Sequence, residues 1–279
     1  MMGVPPVVDA EWYREHAAEV ILADVRWYSD GRDGHQAYAA AHIPGAVWIS
    51  IDDDLAAPAT EADGRHPLPT PEHFAEALGR RGLADDVTVV AYDDASGSIA
   101  ARLVWLLRVL GQPAAVLNGG LGTWSGELES GVVERAPVVR RVRPWPQDRF
   151  ITADAVDGGA ETDVLIDARA HDRYTGEVES PLDPRAGHIP GAANVPWAAN
   201  LDDDGFFAPS AELAELYGSR GVDRSSRVVA YCGSGVTACT DLIALERAGF
   251  TNTRLYPGSW SQWAADARRP IETGATSDG

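Results

Sequence analysis

The chain contains two cysteines, and one of them lies where a nucleophile could be activated. Cys232 follows the apolar run VVAY and begins the segment CGSGVTA. The apolar run predicts a buried strand, and a helical pattern starts near Val236 and continues to Gly249. The N–H groups at the start of a helix stabilise a thiolate, which is the reactive form of cysteine. The pattern therefore predicts a nucleophile, and a buried packing cysteine is the alternative.

The glycines of this segment suggest how the sulfur is held. Gly233 and Gly235 allow the backbone to curl, so that several N–H groups can point at one centre. We expect the loop to form a cradle for a small anion at the sulfur. The expected binding positions of the loop are Gly233, Gly235, Val236 and Thr237.

Several cysteine chemistries fit the segment less well. A tyrosine-phosphatase loop needs arginine six positions after the cysteine, where this chain has Ala238. A thioredoxin site needs two cysteines separated by two residues, whereas Cys239 lies seven positions after Cys232. A Cys–His pair of the protease type stays open, although so small a turn better suits a small anion.

Segments of the first half return in the same order in the second half. AHIPGAVWIS at 41–50 returns as GHIPGAANVP at 187–196, and VVAYDDASG aligns with VVAYCGSGV. The repeat places Asp93 opposite Cys232, so only the second copy carries the thiol. We therefore expect an N-terminal domain at 1–135, a proline- and arginine-rich linker at 136–149, and a catalytic domain at 150–279.

Each half alternates short β-branched runs with helical patterns. Examples are the strands VLIDA and RVVAY and the helices PEHFAEALGRRG and SAELAELYGSRG. This alternation predicts an α/β fold, in which each domain has a mostly parallel sheet flanked by helices. Sites in such sheets lie at the carboxyl ends of the strands, where Cys232 is expected.

Composition excludes several classes of function. The net charge of −19 argues against a general nucleic-acid or membrane-surface binder, and the chain contains no lysine for Schiff-base chemistry. The seven histidines are scattered and the cysteines unpaired, so no metal site is predicted. The absence of a secretory signal pattern and of a disulfide framework predicts a cytoplasmic protein. An anionic substrate would need local cations.

Taken together, CGSGVTA, GHIPGA, IDAR, RYTG and PGSWSQW resemble the two-domain rhodanese superfamily of sulfurtransferases over nearly the whole chain. CGSGVTA resembles the loop of 3-mercaptopyruvate sulfurtransferases. Thiosulfate sulfurtransferases typically have two basic residues after the cysteine, whereas this chain has the neutral Gly233 and Ser234.

The resemblance implies two tandem rhodanese-like domains and sulfur transfer without a cofactor. Sulfur would move from 3-mercaptopyruvate through a Cys232 persulfide to a thiol acceptor, such as thioredoxin or a small thiol, or to cyanide, with release of pyruvate. Thiosulfate sulfurtransfer on the same cysteine is the alternative. A non-catalytic sulfur-carrier or regulatory module is an alternative of another class.

The resemblance also implies roles for residues around the cysteine. Arg173 in RYTG would bind the carboxylate of the donor, with Arg185 in DPRAGHIPG as a second ligand. A proton relay would run through Ser234, His66 and Asp52, with Asp53 and Asp54 as alternatives to Asp52. From the sequence itself we expect Asp167 and Arg169 in IDAR to form a buried pair that supports the loop.

Overall fold

The computed structural model of the chain describes residues 3–159 and 162–274. These residues form two compact units, each with its own sheet and core. The N-terminal unit comprises the residues up to Ala57, Leu68–Pro146 and Asp203–Phe207. The C-terminal unit comprises Pro58–Pro67, Gln147–Asp202 and the residues from Ala208 onward. Each unit thus includes a short segment from the other half of the sequence, whereas the repeat predicted two contiguous domains.

The N-terminal unit has a five-stranded sheet in which every pairing is parallel, in the order β1-β5-β4-β2-β3. Its strands are β1 (Val7–Val8), β2 (Val20–Asp24), β3 (Val47–Trp48), β4 (Thr88–Tyr92) and β5 (Ala114–Leu117). Its helices are α1 (Ala10–His16), α2 (Gly34–Ala40), α3 (Ile51–Asp54), α4 (Pro71–Arg80) and α5 (Ala100–Val109).

Local sequence signals explain where these helices begin and end. The hydroxyl of Thr70 accepts a hydrogen bond from the N–H of His73 at 3.1 Å, and Pro71 occupies the first turn of α4. Both features favour a helix start. The helix ends at Arg80, and Gly82 follows with a left-handed φ of +75°. The predicted helix PEHFAEALGRRG is therefore confirmed.

The C-terminal unit has a four-stranded parallel sheet in the order β7-β6-β8-β9. Its strands are β6 (Val164–Asp167), β7 (Ala193–Asn194), β8 (Val228–Tyr231) and β9 (Thr253–Leu255). Its helices are α6 (Ala153–Gly158), α7 (His171–Thr175), α8 (Ser210–Gly218), α9 (Ala238–Arg247) and α10 (Ser259–Trp263). The order repeats the arrangement of β3, β2, β4 and β5, so the predicted α/β repeat with parallel sheets is confirmed.

Burial of β8 on both faces sets the position of the cysteine loop. All four residues of β8 are buried, as expected for a central strand of a parallel sheet covered by helices. Helix α9 packs on this sheet, and Trp260 and Trp263 of α10 lie in the core of the unit. The loop between β8 and α9 is thus supported by a rigid strand and two packed helices.

Candidate active site

Cys232 lies directly after β8, at the carboxyl end of a central strand, as predicted. Its side chain is buried, with a relative exposure of 2%. The N–H of Gly235 donates to its Sγ at 3.1 Å, so the loop folds back onto the sulfur. Val236 and Thr237 complete the turn into α9, which begins at Ala238. The loop can therefore stabilise negative charge on the sulfur through its backbone.

The shape of this loop depends on Gly235 and on the segment before α10. Gly235 has a left-handed φ of +78°, and a Cβ at this position would lie 2.5 Å from the carbonyl oxygen of Pro257. Both facts require glycine here. The carbonyl of Cys232 accepts a hydrogen bond from the N–H of Trp260 at 2.9 Å. The PGSWSQW motif thus clamps the cysteine loop.

Two guanidinium groups converge on the loop beside the cysteine. A Cβ placed on Gly233 would lie 2.8 Å from Nη2 of Arg65 and 3.1 Å from Nη2 of Arg173. The predicted ligand Arg173 is thus at the site, together with Arg65, which sequence reasoning missed. The signal that could have found Arg65 is its position next to His66 in GRHPLP. Cationic groups from two other segments therefore flank a loop that carries none itself.

A buried carboxylate holds these arginines. Oδ2 of Asp183 accepts hydrogen bonds from Nε and Nη2 of Arg173 at 3.0 and 2.6 Å. Its Oδ1 lies 3.6 Å from Nη1 of Arg65, and that nitrogen also donates to the carbonyl of Leu182. The side chain of Asp183 is only 5% exposed. Asp183 is a second residue that the sequence analysis did not identify.

Ser234 and His66 form a direct pair. Oγ of Ser234 lies 2.7 Å from Nδ1 of His66, and both residues are buried. His66 belongs to the segment Pro58–Pro67, which is part of the C-terminal unit. The structure therefore brings together two of the three residues expected in the relay, in hydrogen-bonding contact suited to proton exchange.

The three candidate aspartates lie on α3 in the N-terminal unit. Oδ2 of Asp52 accepts a hydrogen bond from Nε1 of Trp27 at 3.0 Å. The hydroxyl of Ser50, the N-cap of α3, donates to the carboxylate of Asp53 and accepts a hydrogen bond from the N–H of Asp53. Asp54 is buried in an ion pair with Arg81 at 3.1 Å. Asp53 and Asp54 thus have local structural roles, and the pairing of Asp52 with His66 stays a prediction.

The structure does not support Arg185 as a substrate ligand. Its guanidinium donates four hydrogen bonds to backbone carbonyls, at distances of 2.9 to 3.3 Å. The acceptors are the carbonyls of Trp263, Ala264, Asp266 and Arg269. A side chain whose donors are used in this way fastens the C-terminal segment to the domain.

Asp167 and Arg169 form the buried pair that the IDAR motif predicted. Nε of Arg169 contacts both carboxylate oxygens at 3.0 Å, and Nη2 donates to the carbonyl of Gly187 at 2.7 Å. Burial alone would lower the pKa of Arg169, but the Asp167 carboxylate raises it, so the guanidinium stays charged. Its guanidinium carbon lies 4.6 Å from the ring centre of Trp260. The pair therefore connects the end of β6 to Trp260 in α10, the segment that holds the cysteine loop.

The equivalent loop of the N-terminal unit holds a carboxylate. Asp93 directly follows β4, and its two oxygens accept four backbone hydrogen bonds of 2.7 to 2.8 Å. The donors are the N–H groups of Ala95, Gly97, Ile99 and Ala100. Ser96, three positions after Asp93, has a positive φ of 57°, and Gly235, three positions after Cys232, also has a positive φ. This turn is thus an anion cradle that its own aspartate fills.

A cleft of about 330 Å³ in the C-terminal unit adjoins this site. Its walls are formed by Ala59, Thr60, Glu61, Gly64, Arg65, Leu182, Pro184, Ser261 and Ala265. Because the N–H of Ser261 donates to the carbonyl of Gly233, the cleft reaches the cysteine loop through Ser261 and Arg65. The volume falls in the range of small-molecule sites.

Within the described part of the chain, no three metal-ligating side chains cluster around a possible metal position. Among the same residues, no helix is long and apolar enough to cross a membrane. Cys239, the other cysteine, is buried in α9, and its Sγ lies 3.5 Å from the carbonyl oxygen of Gly235. It therefore packs behind the loop and does not face the cradle with Cys232.

Comparison with known proteins gives consistent matches. The family model of the rhodanese-like domain matches residues 9–127 and 152–266. "Putative thiosulfate sulfurtransferase SseB" of Mycobacterium tuberculosis is 41% identical over 263 residues, with 91% of each chain covered. "Probable 3-mercaptopyruvate sulfurtransferase" of Pseudomonas aeruginosa is 42% identical, covering 92% of this chain and 93% of that one. The solved 3-mercaptopyruvate sulfurtransferase from Leishmania major superposes with a TM-score of 0.83 at 30% identity, covering 96% of this chain and 76% of that one.

Proposed function

Because the chain belongs to the rhodanese family, with two rhodanese-like domains, we propose that it is a sulfurtransferase that takes sulfur from 3-mercaptopyruvate through Cys232. The observation that carries the choice of donor is the 2.7 Å contact between Ser234 and His66 beside the buried cysteine, because the enolate that leaves 3-mercaptopyruvate needs a proton. Arg65 and Arg173 converge on Gly233 in the same loop. A pair of guanidinium groups suits a small donor whose carboxylate lies close to its sulfur.

In the first half-reaction the Cys232 thiolate attacks the sulfur of 3-mercaptopyruvate. A bond forms between Sγ and that sulfur, and the carbon–sulfur bond breaks. Its electron pair passes to the three-carbon fragment, which leaves as the enolate of pyruvate and takes up one proton at carbon. The hydroxyl of Ser234 is placed to supply this proton and to recover one through His66, which contacts it at 2.7 Å.

The sulfur then resides on Cys232 as a persulfide. The loop around Asp93 supports this step, because the two side chains match atom by atom. Cγ of Asp93 corresponds to Sγ of Cys232, and a carboxylate oxygen of Asp93 corresponds to the outer sulfur of the persulfide. Four N–H groups bind that oxygen pair in the N-terminal unit. A loop of the same design can hold the outer sulfur of a persulfide as an anion.

In the second half-reaction a thiol acceptor attacks the outer sulfur. A new sulfur–sulfur bond forms on the acceptor, the bond to Sγ breaks, and the Cys232 thiolate returns. A thiol acceptor gives its proton to solvent, and cyanide, which is converted to thiocyanate, reacts in the same way without a proton. The cleft lined by Arg65 and Ser261 lies against the cysteine loop and is where a small thiol acceptor would bind.

The test is to treat the protein with 3-mercaptopyruvate and to measure both pyruvate release and the mass of the intact chain. We expect one added sulfur atom on Cys232, and steady release of pyruvate when an acceptor is present. Cys232→Ser should abolish both, whereas Cys239→Ser is the matched control and should retain most activity. Sulfur transfer by Cys232→Ser would overturn the proposal, and release limited to one equivalent would indicate a stoichiometric carrier.

Thiosulfate is the second candidate donor. One observation favours it: the two guanidinium groups at Gly233 supply the positive charge that the loop sequence lacks. The M. tuberculosis relative, named as a thiosulfate sulfurtransferase, makes the same comparison necessary. Both donors should therefore be measured side by side.

A further inference from the structure

We propose that Asp183 sets the charge of the donor that this site accepts, and so favours a monoanion over a dianion. The inference rests on the proposed function, since it concerns the donor that Cys232 attacks. Asp183 does not touch the reacting atoms in this proposal. It is a positioning residue that acts through Arg65 and Arg173.

The geometry makes Asp183 an internal counter-ion. Its carboxylate is buried, and Oδ2 accepts two hydrogen bonds from Arg173 at 3.0 and 2.6 Å. Its Oδ1 lies 3.6 Å from Nη1 of Arg65, without a hydrogen-bond donor of its own. Nη1 of Arg169 lies 3.8 Å from Oδ2. Three guanidinium groups thus surround one buried carboxylate.

The charge that remains for a donor follows from these pairings. Arg169 is neutralised by Asp167, which it contacts through two nitrogens. Arg65 and Arg173 then bring two positive charges to Gly233, and Asp183 brings one negative charge. This cluster is left with a single positive charge beside the cysteine. The loop adds none, since Gly233 and Ser234 are neutral.

A single positive charge matches one of the two candidate donors. 3-Mercaptopyruvate carries one negative charge, on its carboxylate, whereas thiosulfate carries two. The dianion would leave one uncompensated negative charge at a partly buried site, in a chain whose net charge is −19. Arg173 and Asp183 are largely buried, so the effective dielectric constant around them is lower than at the surface. The unfavourable energy of the extra negative charge should therefore be larger here than at an exposed site.

The experiment compares kcat/KM for the two donors in Asp183→Asn, which keeps the shape of the side chain and removes its charge. We expect the ratio of thiosulfate to 3-mercaptopyruvate to rise at least about tenfold, because one more unit of positive charge attracts a dianion more than a monoanion. Asp172→Asn is the matched control. It removes the same charge from an exposed side chain beside Arg173 and should change the ratio by less than about twofold.

A second variant protects the test against a loss of folding. Asp183→Glu keeps the charge, so the ratio should stay near that of the wild type even if both rates fall. An equal fall for both donors in Asp183→Asn would show that Asp183 only orients Arg173, and would overturn the proposal. A tenfold change in ratio in Asp183→Glu would overturn it as well. Failure of the wild type to release pyruvate from 3-mercaptopyruvate would instead refute the proposed function.

Discussion

Oγ of Ser234 lies 2.7 Å from Nδ1 of His66, although 168 positions separate the two residues in the sequence. The hydroxyl belongs to the loop of the nucleophile, two residues after Cys232. The imidazole comes from the segment Pro58–Pro67, which the fold assigns to the C-terminal unit. A contact of this length between buried groups has a specific kinetic consequence.

Ser234→Ala should slow the reaction of one donor and spare the other. The enolate that leaves 3-mercaptopyruvate needs a proton, whereas sulfite leaves thiosulfate as a stable anion. We expect kcat for 3-mercaptopyruvate to fall about a hundredfold, the lower range for loss of general acid catalysis, and kcat for thiosulfate to change little. His66→Asn should act similarly, because an amide can hydrogen-bond to Ser234 but cannot take up or release a proton. Equal losses for both donors would mean that the pair only shapes the loop.

Arg173→Lys should be far from conservative. Arg173 uses Nε and Nη2 on Asp183 while Nη2 also faces Gly233, and one ammonium group cannot reproduce both contacts. Loss of a charge-assisted contact should cost about 1.5–3 kcal/mol, or roughly ten- to a hundredfold in kcat/KM for 3-mercaptopyruvate. Arg185→Lys is the control: it should lower the melting temperature and leave KM for the donor near its wild-type value. An unchanged kcat/KM in Arg173→Lys would remove Arg173 from the donor site.

Residues 150–279 expressed alone should be impaired on 3-mercaptopyruvate. This fragment lacks Arg65 and His66, which the structure places in the C-terminal unit with the cysteine loop. We expect kcat/KM to fall at least about a hundredfold, the size of effect that loss of one proton-transfer group can produce. Circular dichroism and alkylation of Cys232 would establish that the fragment folds. The full chain carrying Arg65→Gln and His66→Asn should show a similar loss, and wild-type kinetics from the fragment would contradict both roles.

Asp241→Asn should make stability less dependent on pH. Asp241 lies in α9, where Tyr217 and Asn200 contact its Oδ1 at 3.1 and 3.2 Å, and burial raises its pKa to about 8. The folded chain therefore holds a proton that the unfolded chain releases above its ordinary pKa of 3.8. The stability due to this group is complete below that value and is lost progressively as the pH rises to about 8.

The measurement is urea denaturation at pH 5, 6.5 and 8. The wild type should lose up to several kcal/mol relative to Asp241→Asn across this range, on the order of 4 at most. Taking the difference between the two proteins cancels the contribution of the histidines that they share. Asp203→Asn, which changes an exposed carboxylate, should follow the wild type. Parallel curves for wild type and Asp241→Asn would show that Asp241 is ionised in the folded chain.

The parts of the site that could be predicted from the sequence are those formed by consecutive residues of one segment. Cys232, Gly235 and the start of α9 follow from an apolar strand, a glycine-rich turn and a helical period, which are local signals. The register of the repeat likewise located Asp93. These features depend on neighbouring residues, so the sequence pattern was sufficient.

The remaining parts depend on contacts between distant segments. Arg173 was expected at the site only through the family resemblance and Arg65 was not identified, because both reach Gly233 from segments far apart in the chain. Arg185 was expected to bind substrate, but its position against four carbonyls is set by the path of the C-terminal segment. No periodicity or spacing in the sequence encodes such contacts. The sequence alone therefore does not distinguish Arg173, which reaches the cysteine loop, from Arg185, which does not.

The carboxylate that fills the turn at Asp93 has a consequence for how the two halves tolerate substitution. In the proposed function residue 232 acts in the reaction itself, so a substitution there should remove activity even where the chain still folds. The side chain of residue 93 accepts four hydrogen bonds from the backbone of its own loop, so a substitution there should act through folding. Asparagine could keep part of those contacts, whereas alanine would lose all four. Substitutions at residue 93 should therefore lower stability in proportion to the hydrogen bonds they remove, whereas substitutions at residue 232 should abolish activity outright.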